Sequence, residues 1–139
     1  MQRHASALED FEKVLSLTFN SFDNAHLMKA RIYAREGQFS LAQPSLNFYI
    51  KARGNDPDAE EVQRDIKEGE KSRNKALKER NAELWNACVD STSQALRVAT
   101  HSVEIRVWRA ECALAAGDVE SSVGDLTYVD FPQIQSILI

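Results

Sequence analysis

The chain has 139 residues and a net charge of −4. It is long enough for one domain with a real core. Its acidic and basic residues are mixed along the sequence, which argues against nucleic acid as the main partner, because phosphate binding needs a concentrated basic face. With 43% hydrophobic and 27% charged residues the composition is that of a soluble globular protein, and three prolines and five glycines favour helix over sheet. No apolar run approaches the ~20 residues of a membrane span, and the opening MQRHASALEDFEK lacks the apolar core of a signal peptide. No phosphate loop, nucleophile elbow or paired-carboxylate cleft is visible, so no catalytic residue and no cofactor is expected. His4, His26 and His101 have no spaced metal-binding partners and are assigned to the surface.

Residues 5–18 read as an amphipathic helix, with Ala7, Leu8, Phe11, Val14 and Leu15 on one face. Turn residues follow, and Asp23 or Asn24 can cap a second helix running to about Glu36, with Leu27, Ala30, Ile32 and Tyr33 as packing residues. Gly37 suits the left-handed position that ends a helix. A third helix, about Ser40–Arg53, turns Leu41, Ala42, Leu46, Tyr49 and Ile50 inward and carries Pro44 in its first turn, where the missing N–H is tolerated. Of the thirty residues Gly54–Glu83, sixteen are charged. With the sparse apolar residues Val62, Ile66, Ala76 and Leu77 they predict one long charged helix, exposed in its first half and packed in its second. Glu60/Arg64, Arg64/Glu68 and Lys75/Glu79 have the spacing of helical ion pairs. Three helices follow, Trp85–Ala99, Val103–Ala116 and Val119–Val129, and then an apolar tail, residues 130–139.

One figure recurs. Ala30, Gly37 and Ala42 are echoed at Ala110, Gly117 and Ser122. A middle copy is visible with Ala76, Trp85, Cys88, Thr92 and Ala95, in which Glu83 stands where the turn glycine is expected. The small residues Ala7, Ala42, Cys88 and Ser122 are separated by 35, 46 and 34 positions, two ordinary repeats around one lengthened by about twelve. Repeated helical hairpins mark an all-α solenoid, which is usually a binding surface.

These residues resemble the tetratricopeptide repeat, which wants a turn glycine, an aromatic residue two positions on, then an early alanine and large residues four and seven later. Gly37, Phe39, Ala42, Leu46 and Tyr49 fit; Gly117, Val119, Ser122, Leu126 and Val129 fit more loosely. The organisation implied is a single domain: residues 5–18 as the second helix of a truncated repeat, 25–53 a repeat, 58–99 the linker helix with a degenerate repeat, 103–129 a repeat, and 130–139 an unmatched tail. The charged insertion followed by RAECALAAGDVESSVGDLT is similar to the tetratricopeptide region of a lumenal co-chaperone family of the endoplasmic reticulum that also carries a J domain. The matching residues are Arg109, Ala110, Glu111, Cys112, Gly117, Ser122, Asp125 and Leu126.

That resemblance implies binding of unfolded polypeptide clients in the endoplasmic reticulum lumen, with Hsp70 engaged only through a J domain, whose His-Pro-Asp loop this sequence does not contain. Without a signal peptide the chain as it stands would remain cytoplasmic. The alternative is a generic tetratricopeptide scaffold recognising one folded partner or peptide. Neither nucleic acid nor membrane is an expected partner, and hydrophobic ends without polar caps predict self-association.

The carboxylate clamp of many tetratricopeptide co-chaperones needs Lys, Asn and Arg at inward positions. Those positions hold Leu27, Met28 and Arg31, then Arg73, Asn74 and Leu77, then Val107, Trp108 and Glu111, a poor match in which Glu111 would repel a carboxylate. The candidate client-binding groove is Leu27, Arg31, Leu77, Val107 and Leu114, which could equally pack between helices. Trp85 and Trp108 fall at packing positions. Cys88 and Cys112 lie in adjacent helices, either as buried thiols or as a disulfide in an oxidising compartment.

Overall fold

The computed structural model describes residues 7–13 and 23–127. All described secondary structure is helical: α1 (residues 7–13), α2 (Asp23–Arg35), α3 (Phe39–Arg53), α4 (Pro57–Asn81), α5 (Trp85–Val98), α6 (Val103–Ala115) and α7 (Val119–Leu126). Successive helices pack in antiparallel pairs, and there is no strand among the described residues. The remainder of the 5–18 helix, His4 and the 130–139 tail lie outside the described residues.

Three hairpins are built on one plan. Their helices cross at small residues with no exposed surface: Ala30 with Ala42, Ala76 with Cys88, and Ala110 with Ser122. Each turn closes with the same pair of backbone bonds. The Gly37, Glu83 and Gly117 amides donate to Ala34, Arg80 and Leu114 at 3.1, 3.1 and 3.0 Å. The next amides, of Gln38, Leu84 and Asp118, reach back to Tyr33, Glu79 and Ala113 at 2.9, 2.9 and 2.8 Å. This is a Schellman cap, which needs a left-handed residue at its first position. Gly37 and Gly117 supply it with φ of 79° and 90°, and Glu83 adopts it at 59° despite its side chain. The degenerate middle turn therefore keeps the glycine's backbone without the glycine.

Helix α4 has 25 residues, about 37 Å, and packs against α2, α3, α5 and α6 along its length. Its start is fixed twice: Asp56 caps it by accepting the Ala59 amide at 2.9 Å, and Pro57 follows at the first helical position. The first half is not the exposed segment expected from its charge. Ala59, Val62 and Ile66 recur at helical spacing, are at most 2% exposed, and join Leu46 and Tyr49 in the core. Three inward apolar residues suffice to bury a face whose flanks remain charged. The ion pairs expected along α4 do not form either; Glu79 is instead buried and accepts a hydrogen bond from Ser91 Oγ at 2.5 Å.

The α2–α3 hairpin lies on the first half of α4, and α5 and α6 lie on the second. They meet at Gly69. A Cβ there would come within 2.5 Å of the Phe39 ring and 3.2 Å of Val98 Cγ1, one from each block. The meeting is also hydrogen-bonded: the His101 amide donates to the Arg35 carbonyl at 2.8 Å. Gly69 is thus a contact point rather than a helix breaker.

Several packing assignments change. Leu41 is 47% exposed, whereas Phe39 at 3% takes the inward place at the start of α3. Because α3 starts at Phe39, Pro44 falls in its second turn rather than its first, and the helix continues through it. Val119 is 60% exposed. His26 is buried rather than superficial, stacked on Phe48 with ring centres 4.7 Å apart.

Candidate protein-binding face

Helices α4 and α6 face each other through a ladder of charges. Arg73 donates to Glu104 Oε1 through Nη2 at 2.6 Å and Nε at 3.1 Å. One turn pair further on, Arg80 donates to both oxygens of Glu111 at 3.0 and 3.1 Å. The arginines are seven residues apart on α4 and the glutamates seven apart on α6, so both pairs have the same sequence separation of 31. Trp108 lies at the intervening position of α6, with the Arg73 guanidinium 5.1 Å and that of Arg80 5.9 Å from its ring. Trp108 is half-buried, so it is part of this face and not of the core. Trp85 is half-buried as well.

This arrangement bears on the carboxylate-clamp positions. Of the clamp positions, Arg73 already holds the Glu104 carboxylate and Glu111 is itself held by Arg80, outside the clamp set. A ligand carboxylate on Arg73 would have to displace Glu104.

The five groove residues are not gathered into one site. Leu77 sits on the α4 stripe between Arg73 and Arg80, and Val107 and Leu114 run along α6 beside the glutamates; all three are half-buried. Leu27 is 5% exposed and belongs to the core with Ala30 and Leu46. Arg31 lines a different cleft, with Arg35, Glu61, Asp65 and Arg97, and stands 3.8 Å from Asp58. The separation follows from α4 being long: the α2–α3 hairpin lies along its other half.

Cys88 of α5 and Cys112 of α6 are bonded, with Cα atoms 6.1 Å apart and neither side chain exposed. Arg109 holds Asp125 of α7 through two bonds at 2.5 and 2.7 Å, and these raise the Arg109 pKa above its ordinary value. Sequence reading considered Cys88 and Cys112 together and named Arg73, Glu111, Arg109 and Asp125 singly, while Arg80 and Glu104 were not singled out. The constant offset of 31 was the available signal for the ladder, since it repeats on the two helices with opposite charge.

Known relatives fit this architecture. Over 127 residues, 91% of its length, the chain is 36% identical to the tetratricopeptide repeat and J domain-containing co-chaperone DNJ1 of Cryptococcus neoformans var. grubii. It is a distant homologue of that co-chaperone. The protein of the same name from Fusarium oxysporum f. sp. lycopersici is 35% identical over 127 residues. The chain spans about a quarter of these relatives, 24% and 23% of their lengths. No family model matches the chain. Among the described residues, no helix is long and apolar enough to cross a membrane.

Proposed function

We propose that the chain is a protein-binding tetratricopeptide module that holds unfolded polypeptide clients for a lumenal Hsp70 co-chaperone. The homology to DNJ1 over 91% of the chain carries this reading. The binding surface proposed is the α4–α6 face, where Leu77, Val107 and Leu114 offer apolar contact beside Trp108. The internally paired arginines leave it no free charge selective for a terminal carboxylate, which suits clients recognised by exposed apolar segments. A buried disulfide suits the oxidising endoplasmic reticulum lumen.

The test is suppression of aggregation of a chemically denatured protein diluted into buffer. The chain should slow light scattering in proportion to its concentration, and Val107→Thr with Leu114→Gln should weaken this at unchanged helicity. Absence of suppression, together with tight binding to one folded partner, would establish the scaffold reading instead.

A further inference from the structure

The basic residues of α4 are divided into two groups. Those facing α6, Arg73 and Arg80, are each matched by a glutamate. Those on another stripe of the same helix are not. Arg64, Lys67, Lys71, Lys75 and Lys78 recur at intervals of three, four, four and three, which places them along one side of α4 over about 21 Å. All five are exposed, and among the described residues none has a carboxylate within 4.0 Å.

The centre of this stripe is a cleft of about 370 Å³ between α4 and α5, lined by Lys71, Lys75 and Arg97 with Ser72, Gln94 and Glu68. Its charged lining is three cations against one carboxylate, in a chain whose net charge is −4. Like charges three and four residues apart on a helix repel one another, and Glu68 is the one carboxylate lining this cleft. Among the residues outside the described set there is a single acidic side chain, Asp130.

We propose that the α4–α5 cleft and its lysine stripe are a docking surface for an acidic peptide segment of a partner protein. An extended peptide advances about 3.3–3.6 Å per residue, so the stripe matches roughly six residues. Carboxylates would meet Lys71, Lys75 and Arg97, while Ser72 and Gln94 supply hydrogen-bonding groups for the peptide backbone. The surface carries no aromatic ring on which bases could stack, which favours polypeptide over nucleic acid.

Fluorescence anisotropy tests the proposal with a labelled eight-residue peptide of alternating Glu and Ser, its Gln analogue, and a single-stranded oligonucleotide of equal charge. The Glu peptide should bind at low salt and weaken as salt rises, and the Gln analogue should not bind. Lys71→Gln with Lys75→Gln, and separately Arg97→Gln, should each reduce affinity at least tenfold. Lys13→Gln with Lys51→Gln removes two exposed charges elsewhere and should change it less than twofold. The substituted side chains are exposed and unpaired, and circular dichroism verifies that the fold is kept. Equal losses in both double variants, binding of the Gln analogue, or tighter binding of the oligonucleotide would each overturn the proposal.

Discussion

Arg109 and Asp125 form a two-pronged ion pair across the α6–α7 hairpin, with Nε to Oδ2 at 2.7 Å and Nη2 to Oδ1 at 2.5 Å. Asp125 is 2% exposed, and Arg106 stands 3.6 Å from the same carboxylate. Helix α7 has eight residues, and of its apolar side chains Val119 and Val123 face solvent, so this pair supplies much of its attachment. Asp125→Asn removes the charge that Arg109 grips with two bonds and should cost about 3 kcal/mol. The loss should be local: amide exchange across residues 119–126 should quicken about a hundredfold, with α2 and α3 unchanged. Uniform acceleration throughout the chain would contradict this attachment role.

Gly69 and Gly124 are both helical glycines with opposite surroundings. A Cβ at Gly124 meets nothing within 4 Å, so Gly124→Ala should gain up to about 1 kcal/mol from helix propensity. At Gly69 the same methyl would come within 2.5 Å of the Phe39 ring, which is 3% exposed, and 3.2 Å of Val98 Cγ1. Overpacking of about 1–3 kcal/mol should then exceed the propensity gain, making Gly69→Ala net destabilising. Urea midpoints of the two variants should shift in opposite directions.

Glu83 holds a φ of 59° at a turn where the other two hairpins have glycine. The left-handed backbone costs a side-chain-bearing residue about 1–2 kcal/mol. Glycine returns part of that through its larger unfolded-state entropy, so Glu83→Gly should stabilise by about 0.5–1 kcal/mol. Gly37→Ala should destabilise by more, since its φ is 79° and its Cβ would also lie 2.9 Å from Ser102 Oγ. A higher melting temperature for Glu83→Gly and a lower one for Gly37→Ala are the expected results.

The turns and the small crossing residues were legible in sequence because both are local rules. Ala30 with Ala42 and Ala110 with Ser122 show at a fixed spacing, and a Schellman cap announces itself by its glycine. Glu83 shows the limit of that signal, since register imposed the backbone that composition disfavoured. What composition misjudged was the first half of α4. Charge count suggested a solvated segment, yet Ala59, Val62 and Ile66 bury a complete stripe. That burial splits the five groove residues between two blocks, a consequence of three-dimensional path rather than spacing. Arg73 was noticed only as a clamp position and Arg80 was not singled out; their partners lie 31 residues away, beyond any helical period.

The Cys88–Cys112 bond closes a loop with a separation of 24 residues between α5 and α6. Loop-closure entropy for that length gives about 3 kcal/mol. The oxidised protein should therefore melt about 10 °C above the same chain unfolded in the presence of a thiol reductant. Because neither cysteine is exposed, the folded protein should resist reduction that the unfolded chain undergoes readily. Two rapidly alkylated thiols in native, oxidised protein would disprove the bond.

Tyr49 and Asp56 link the end of α3 to the start of α4. The Tyr49 hydroxyl donates to Asp56 Oδ2 at 2.5 Å while Oδ1 caps α4. This hydrogen bond is the leading reason that the Asp56 pKa lies below its ordinary value and that of Tyr49 above it. A carboxyl with a lowered pKa adds stability that is present at neutral pH and lost as pH falls through its folded value, on the acid side of the usual aspartate range. A phenol with a raised pKa adds stability that is complete below the unfolded tyrosine pKa of about 10 and lost as pH rises through its folded value. Tyr49→Phe removes the donor, the alkaline dependence and the leading part of the acid one, leaving Asp56 the Ala59 and Asp58 amides and Arg53. Its stability deficit should be greatest across the neutral plateau and should shrink toward both strong acid and strong base. Urea unfolding at intervals between about pH 2 and pH 11 reads this directly, and a deficit independent of pH would show that Tyr49 contributes packing alone.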